Sequence, residues 1–480
     1  MQARAVAIGL FFAVVVPVTN QDARASQAIQ GPLRVHPTNP RYFTHDNVRV
    51  VYLTGSHVWN NLQDMGLGQP TPAFDFDAYL DFLERHGHNF IRLWRWEQVA
   101  WDLKSSAKWT EQIGAHTVSP HPWARTGPAM ALDGKPKFDL EKFNPAYFQR
   151  LRSRIQAAGP RAIYVAVMLF EGWALQHIED GWKSHPFHMS NNINGIDGDS
   201  EGDGWGTETH TLKIPSVTRL QEAYVRQVLD TVGDLDNVLF EISNETGAYS
   251  TEWQYHMIRF IKDYERTKPK QHPVGMTFQY SSNLKQRGTN QLLLDSPADW
   301  ISPNFDAPEG FSYRTNPPVS SGEKVILSDT DHLWGIGGSE DWAWKSFFRG
   351  HNPLFMDPYD NQVLGKGSPD QWNALRQALG QTRRLAERVD LAHMTPSPDI
   401  ASTTYCLANT GSEYLVYQPS DGKVVINLEE VNEPFSVEWF NTRANAAIPG
   451  EEIRGGAVRE LNPPIAGPLV LYLKAKRTTR

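Results

Sequence analysis

Residues 237–247 read NVLFEISNETG. A short apolar run over 238–242 ends abruptly in an amide and a carboxyl, Asn244-Glu245. Such a run, bounded by polar residues, suits a strand buried on both faces, as in a parallel sheet. Seven more stretches of the same kind occur at 48–53, 90–94, 163–170, 274–278, 300–303, 325–327 and 353–356. Between them lie segments with apolar residues at helical spacing: 76–85, 146–157, 217–231 and 252–264. Asn144-Pro145 and Ser250 stand where helix starts are expected. Eight buried strands alternating with helices predict an α/β fold, a (β/α)8 TIM barrel over residues 29–395. The sixth unit is the weakest, because no helical pattern falls between 305 and 324.

After Pro396 the pattern changes to short alternating strands at 403–407, 413–418, 423–428, 435–441 and 469–473, separated by turn signals such as Ser420-Asp421-Gly422. Residues 396–480 are therefore expected to form a small all-β sandwich domain.

The chain has 480 residues, a formal net charge of −8, 40% hydrophobic and 21% charged residues. Its net negative charge argues against nucleic acid as a partner. Residues 1–28 have the layout of a signal peptide. Arg4 precedes an apolar run from Ala5 to Val18, followed by Ala23-Arg24-Ala25 and, as a second cleavage option, Ser26-Gln27-Ala28. The run is shorter than the roughly 20 residues needed to span a bilayer. A secreted or periplasmic protein is expected, with no membrane association in the mature form. Cys406 is the single cysteine, so no intrachain disulfide forms and stability must come from core burial.

In a barrel of this type the chemistry sits on the loops at the carboxyl ends of the strands. Strand 4 delivers Asn244 and Glu245 there. Strand 7 lies in EKVILSDTDHLWG, residues 323–335, and ends with Asp329 and Asp331. Strands 4 and 7 stand roughly opposite each other in an eight-stranded barrel, so a carboxyl from each can flank one bond. Glycoside hydrolysis needs that arrangement: one carboxyl protonates the leaving oxygen while the other attacks the sugar or activates water. Arg92, in NFIRLWRWE, adds a cation from strand 2 that can keep one carboxylate ionised. A structural partner for Arg92 such as Glu97 is the competing reading.

These residues resemble clan A of the glycoside hydrolases, the superfamily with catalytic carboxyls on strands 4 and 7. The chain is also similar to secreted cellulase-like and apiosidase-like barrels that end in a β-sandwich. The resemblance spans the barrel and the tail. It implies that Glu245 is the general acid/base, that Asn244 holds a substrate hydroxyl, that Arg92 is the strand-2 arginine, and that Asp329 falls at the nucleophile position. The clan usually has Glu there. Asp sets the carboxyl back by about 1.3–1.5 Å, against separations of roughly 5–5.5 Å for retaining and 6.5–9.5 Å for inverting enzymes. Asp331 is the alternative partner, with Asp329 slightly preferred.

Further residues are expected to bind substrate. His57, Trp59 and Asn60 follow strand 1, Glu171 and Trp173 follow strand 3, and His332 and Trp334 follow Asp331. Glu171 is also a rival acid. The chain is rich in tryptophan, with 16, and Trp101, Trp109 and Trp123 lie in the long loop after strand 2, where flat rings can stack on sugars. Asp306 and Asp357 stand at strand ends 6 and 8. No cofactor is required by this chemistry. Asp197, Asp199, Glu201 and Glu208 have the spacing of a calcium loop, with Gly202 at its sixth position, although Glu stands at the fifth and no clear helices flank it. His177, His185, His188 and His210 share the same insertion, at spacings that match no common zinc site.

The expectation is a secreted glycosidase acting on a poly- or oligosaccharide through two carboxyls. A non-catalytic carbohydrate-binding protein on a decayed barrel is the alternative. A metal-dependent hydrolase using the His- and Asp-rich loop is a third reading.

Overall fold

A computed structural model of the chain describes residues 16–17 and 29–476, apart from 106, 108, 109, 283, 284 and 366. The proposed signal segment, except Val16 and Pro17, and Trp109 lie outside the described residues. Two compact units are present, one within Ser26–His393 and one made of Met394–Arg480 together with the amino-terminal segment, of which Val16 and Pro17 pair with Ala447 and Ala446. Among the described residues no helix is long and apolar enough to cross a membrane.

The first unit is a closed barrel of eight parallel strands. They are β1 (Gly55–His57), β2 (Phe90–Leu93), β3 (Tyr164–Glu171), β4 (Val238–Asn244), β5 (Val274–Thr277), β6 (Trp300–Ser302), β7 (Val325–Asp329) and β8 (Asn352–Met356). Each pairs with its neighbour in sequence, and β8 closes on β1. The strands are buried on both faces, and their two-residue period sorts the side chains. Ile91, Leu93, Val165, Val167, Leu169, Val238, Phe240 and Ile242 join the core shared with the helices. The alternate positions Phe90, Tyr164, Ala166, Leu239, Val325 and Leu327 pack together with Trp300 in a separate cluster that fills the barrel floor. Gly275 makes room there, because a Cβ at that position would stand 1.9 Å from the Trp300 ring.

The principal helices are α1 (Phe76–His86), α2 (Pro145–Ala158), α3 (Pro215–Val232), α4 (Thr251–Glu265), α5 (Glu340–Phe348) and α6 (Asn373–Arg388). Asn144 caps α2 by accepting the Ala146 N–H, with Pro145 in the first turn. Ser250 precedes α4 without a side-chain cap, its hydroxyl turning instead to Thr246 and Gly247. No helix occupies 305–324, as the sequence pattern suggests.

Two elements differ from the sequence reading. The first barrel strand is not 48–53 but Gly55–His57. Before it, the backbone N–H groups of Leu53 and Thr54 are taken by the side-chain amides of Asn352 and Asn89 rather than by a strand neighbour. The long loop after β2, for which the sequence reading assigned no elements, carries strands of its own. It holds strands Ala100–Leu103 and Gly114–Ser119, which form a sheet with Asp64–Leu67, and the hairpin Trp123–Met130/Pro136–Phe143.

The second unit is all-β. Its larger antiparallel sheet contains Cys406–Asn409, Glu413–Gln418, Leu469–Ala475, Pro434–Asn441 and Ala446–Pro449. A two-stranded ribbon pairs Val424–Asn427 with Val458–Leu461. Cys406, Val416, Val424, Ile426, Phe435, Trp439 and Leu471 share its core. Burial pushes the Cys406 thiol up to about 12, which makes it inert packing.

Candidate active site

Above the apolar floor the same strand period turns polar. His57, Arg92, Glu241 and Asp329 continue the inward-facing positions of β1, β2, β4 and β7. All four are buried. Arg92 organises them. Its Nε and Nη2 donate to the two oxygens of Glu241 at 2.8 and 2.6 Å, and Nη2 also donates to Asn244 Oδ1 at 2.6 Å. Its Nη1 donates to Asp329 at 2.9 Å and to Asp331 at 3.1 Å. One guanidinium thus serves three carboxyls, more negative charge than a single buried cation can balance.

The carboxyls divide the shortage unequally. Asp329 Oδ2 accepts from His57 at 2.8 Å and from Arg92, while Oδ1 accepts the Asp331 N–H at 2.9 Å. Burial pushes Asp329 up, but His57 and Arg92 outweigh it and hold the carboxyl far below the usual range. Among the described residues the Asp331 carboxyl accepts a hydrogen bond from Arg92, with His332 Nε2 farther off at 3.6 Å. Burial, aided by the Asp329 charge and opposed by Arg92, raises it to about 6. Glu245 stands at the end of β4 in a left-handed backbone conformation, φ 49°. Burial first, then the Asp331 charge, push its carboxyl well above the usual range. Glu245 is 8% exposed and Asp331 9%, whereas Asp329 is wholly enclosed.

Two histidines have their ring roles set by their partners. Trp94 Nε1–H donates to His57 Nδ1 at 2.8 Å, which leaves His57 Nε2–H to donate to Asp329. Arg92 fixes Asn244 Oδ1 as an acceptor, so His332 Nε2 donates to it at 2.9 Å and His332 Nδ1 accepts from Ser302 at 2.7 Å. With Oδ1 doubly occupied, the buried Asn244 Nδ2 makes no hydrogen bond. It remains as a donor for an incoming group.

A second buried cluster lies beside this one. Glu97 accepts from His210 at 2.8 Å and from His185 at 3.1 Å, with Arg95 at 3.8 Å. Despite burial, Arg95, His210 and His185 hold Glu97 well below the usual range. Arg95 lies over the Tyr224 ring at 4.3 Å. Glu97 therefore belongs with Arg95, and the structural partner of Arg92 is Glu241. Glu171 joins through its backbone, whose N–H donates to Glu97 at 3.0 Å. Its carboxyl accepts the Ala174 N–H, yet burial still raises it to about 8.

The other expected substrate residues are spread more widely. Trp59 and Trp173 are buried against each other, ring centroids 4.8 Å apart, in a cluster with Trp94, Trp96 and Trp101. Trp123 is buried as well. Trp334, 36% exposed, keeps an open face. Asn60 donates to Asp360 at 3.4 Å rather than reaching the carboxyls around Arg92. Asp306 pairs with Arg287 near the surface, and buried Asp357 pairs with Arg376. The calcium-loop spacing does not gather its own residues. Asp199 and Glu208 do meet, but the third carboxyl is Asp203. Asp197 accepts the Asp199 N–H, and Glu201 pairs with Lys213.

Sequence reasoning missed Glu241, and it grouped His177 with the histidines of its insertion rather than with Glu245. Glu241 was visible as a lone charge inside the apolar run VLFEI. His177 Nε2 lies 3.8 Å from the Glu245 carboxyl and its ring stacks on Tyr280 at 6.0 Å. Burial lowers His177 to about 4, which leaves it neutral beside Glu245. Only the backbone path of the loop after β3 brings it there.

The fold and site together define a (β/α)8 barrel with carboxyls from β4 and from the end of β7 at its mouth. Comparison with known proteins agrees on the fold. A family model described as a domain of unknown function (DUF6298) matches residues 116–281, a span that includes β3, β4, β5 and Glu245. No curated protein sequence matches the chain. Among solved structures, a glycoside hydrolase family 5 protein from Bacteroides vulgatus ATCC 8482 is similar over 93% of this chain and 94% of that one, at 14% identity and a TM-score of 0.57. A second protein of the same organism has a TM-score of 0.60 at 14% identity, covering 94% of this chain and 84% of its own. A further glycoside hydrolase has a TM-score of 0.55 at 13% identity, covering 93% and 97%. At such identities the likeness establishes a shared fold.

Proposed function

We propose that the protein is a glycosidase that cleaves O-glycosidic bonds with two carboxyls, Glu245 as general acid/base and Asp331 as its partner. The observation that carries this reading is the unequal sharing of charge around Arg92. Burial raises both Glu245 and Asp331, the two carboxyls at the mouth; the Asp331 charge adds to the rise at Glu245 and the Asp329 charge to that at Asp331, while Asp329 beside them is held ionised. The upward push on Glu245 favours its protonated form, which can give the proton to a glycosidic oxygen. Asp331, at about 6, is ionised above that pH and can attack the anomeric carbon or activate water. The sequence preference for Asp329 yields here because the oxygens of Asp329 are already occupied by His57, Arg92 and the Asp331 N–H. In this reading Asp329 positions its neighbours and Asn244 Nδ2 holds a sugar hydroxyl. Fold likeness to proteins described as glycoside hydrolases adds support.

The substrate class is carbohydrate met outside the cytoplasm. Export is proposed from residues 1–28, with a mature chain beginning at Ser26 or Ile29, which amino-terminal sequencing of the exported protein would check. The activity is tested by screening aryl glycosides and plant and microbial polysaccharides with the natural chain and with Glu245→Gln. The variant is expected to fold normally and to lose roughly 10²–10⁴-fold in rate, the usual share of a general acid. Undiminished turnover would overturn the assignment. Tight sugar binding with no turnover by the natural chain would favour a binding protein on a decayed barrel.

A further inference from the structure

Between β3 and α3 the chain gathers three carboxyls away from Arg92. Asp199, Asp203 and Glu208 each bring one oxygen to within 4.8 Å of the other two. Their surroundings differ. Asp199 is half-buried and accepts the N–H groups of Asp203 at 3.2 Å and Gly204 at 2.8 Å. Asp203 is exposed and accepts the Trp205 N–H at 2.9 Å through one oxygen. Glu208 is only 2% exposed. Its Oε1 accepts the Glu201 N–H at 3.2 Å, but its Oε2 is buried and makes no hydrogen bond.

A buried carboxylate oxygen without a partner costs about 1–3 kcal/mol or more when the group is charged. Two further carboxylates beside it make the position worse. Lys213, the nearby cation, is engaged with Glu201. Among the described residues no Lys, Arg or His forms an ion pair with Asp199, Asp203 or Glu208. What would settle this charge is a hard cation. The donors are all oxygen, with no imidazole or thiolate in the trio, which disfavours zinc. They come from an irregular loop with one carboxylate open to water, which suits the flexible shell of calcium better than the strict octahedron of magnesium.

We propose that Asp199, Asp203 and Glu208 bind a calcium ion. The ion would tie together the two ends of segment 199–208. That segment leads directly to Thr209 and His210, and His210 donates to Glu97 beneath the barrel mouth. Calcium would thus fix the segment that leads to His210, one of the two histidines bonded to Glu97.

The test uses the full chain, stripped with chelator and dialysed. Calorimetric titration with CaCl2 is expected to show one ion per chain, with a Kd at or below about 1 mM, the range of extracellular calcium modules. Tb3+ should luminesce when excited through Trp205 and through Trp182, whose ring packs on Gly198 and Gly206 of the same loop, and should be displaced by Ca2+. Glu208→Gln and Asp203→Asn should each weaken Ca2+ binding at least about tenfold, the 1.4 kcal/mol step of one lost charged ligand. Asp203 is exposed, so Asp203→Asn remains a fair test even if Glu208→Gln destabilises the fold. No saturable binding up to roughly 10 mM CaCl2, beyond the calcium range, would overturn the site. So would binding that Asp203→Asn leaves unchanged, or saturation by Mg2+ with no preference for Ca2+.

Discussion

Two buried arginines stand three residues apart in IRLWRWE, and each gathers carboxyls and histidines, yet the two clusters have opposite characters. Around Arg95 the charges are matched. Glu97 is bonded to two histidines and lies near the guanidinium, and the group is sealed from solvent. Around Arg92 they are mismatched. Three carboxyls share one guanidinium, a fourth, Glu245, lies close by, and the two that receive least support are also the two that reach the mouth. A balanced buried network holds loops in place. An unbalanced one that opens on solvent keeps a labile proton.

The sharpest way to break this contrast is to exchange the roles of its acids. Asp331→Asn is expected to lower kcat/KM by roughly 10²-fold or more, as for loss of an acid–base partner, while Glu171→Gln retains most of the activity on the same glycoside. A Glu171→Gln enzyme as inactive as Glu245→Gln, with an unchanged melting curve, would move the chemistry to the other cluster. Next in size is stability. Arg92→Leu strands Glu241, Asp329 and Asp331 and should cost about 3–5 kcal/mol in urea unfolding, as for other broken buried pairs. Arg95→Leu should cost less, because His185 and His210 still hold Glu97.

A smaller effect follows from Glu171. Its carboxyl is raised from 4.5 to about 8 in the fold. Between those values the unfolded chain has released a proton that the folded chain keeps, so stability falls as pH rises through this window and levels off above it. Glu171→Gln removes the titration. Its melting temperature should overtake that of the natural chain toward pH 8, by an amount equivalent to about 1–3 kcal/mol. The smallest effect is a displacement of the rate profile. The acid limb of kcat/KM should fall near the Asp331 value of about 6. Asp329→Asn removes a charge that raises Asp331, so its residual activity should show an acid limb at lower pH. A limb that stays in place would mean that Asp331 does not govern it.

Much of the Arg92 cluster was legible because barrel strands announce themselves. An apolar run that stops at Asn244-Glu245, another that stops at Asp329 and Asp331, and an arginine inside a third can meet only at the mouth. Glu241 was equally visible, but a single charge inside an apolar run reads as part of the strand that carries it. The start of β1 was misplaced because the apolar letters at 48–53 carry no sign that Asn89 and Asn352 will take their neighbours' N–H groups. The Arg95 cluster was hidden for a different reason. His185 and His210 reach Glu97 through the irregular path of the loop after β3, which has no period to read. Asp203 was missed likewise. Calcium-loop spacing assumes flanking helices, whereas here the chain turns back through left-handed Gly202 and Gly204, φ 68° and 83°, and sets exposed Asp203 beside Asp199 and Glu208 in place of Glu201.

The backbone at Glu245 has one more consequence. A left-handed conformation at a residue bearing a Cβ costs about 1–2 kcal/mol, and glycine would adopt it freely. A chain shaped for durability alone would carry glycine at 245. Glu245→Gly should therefore be both inert and hardier to heat, which makes it a natural trap for crystallising the barrel with an uncleaved sugar in its mouth.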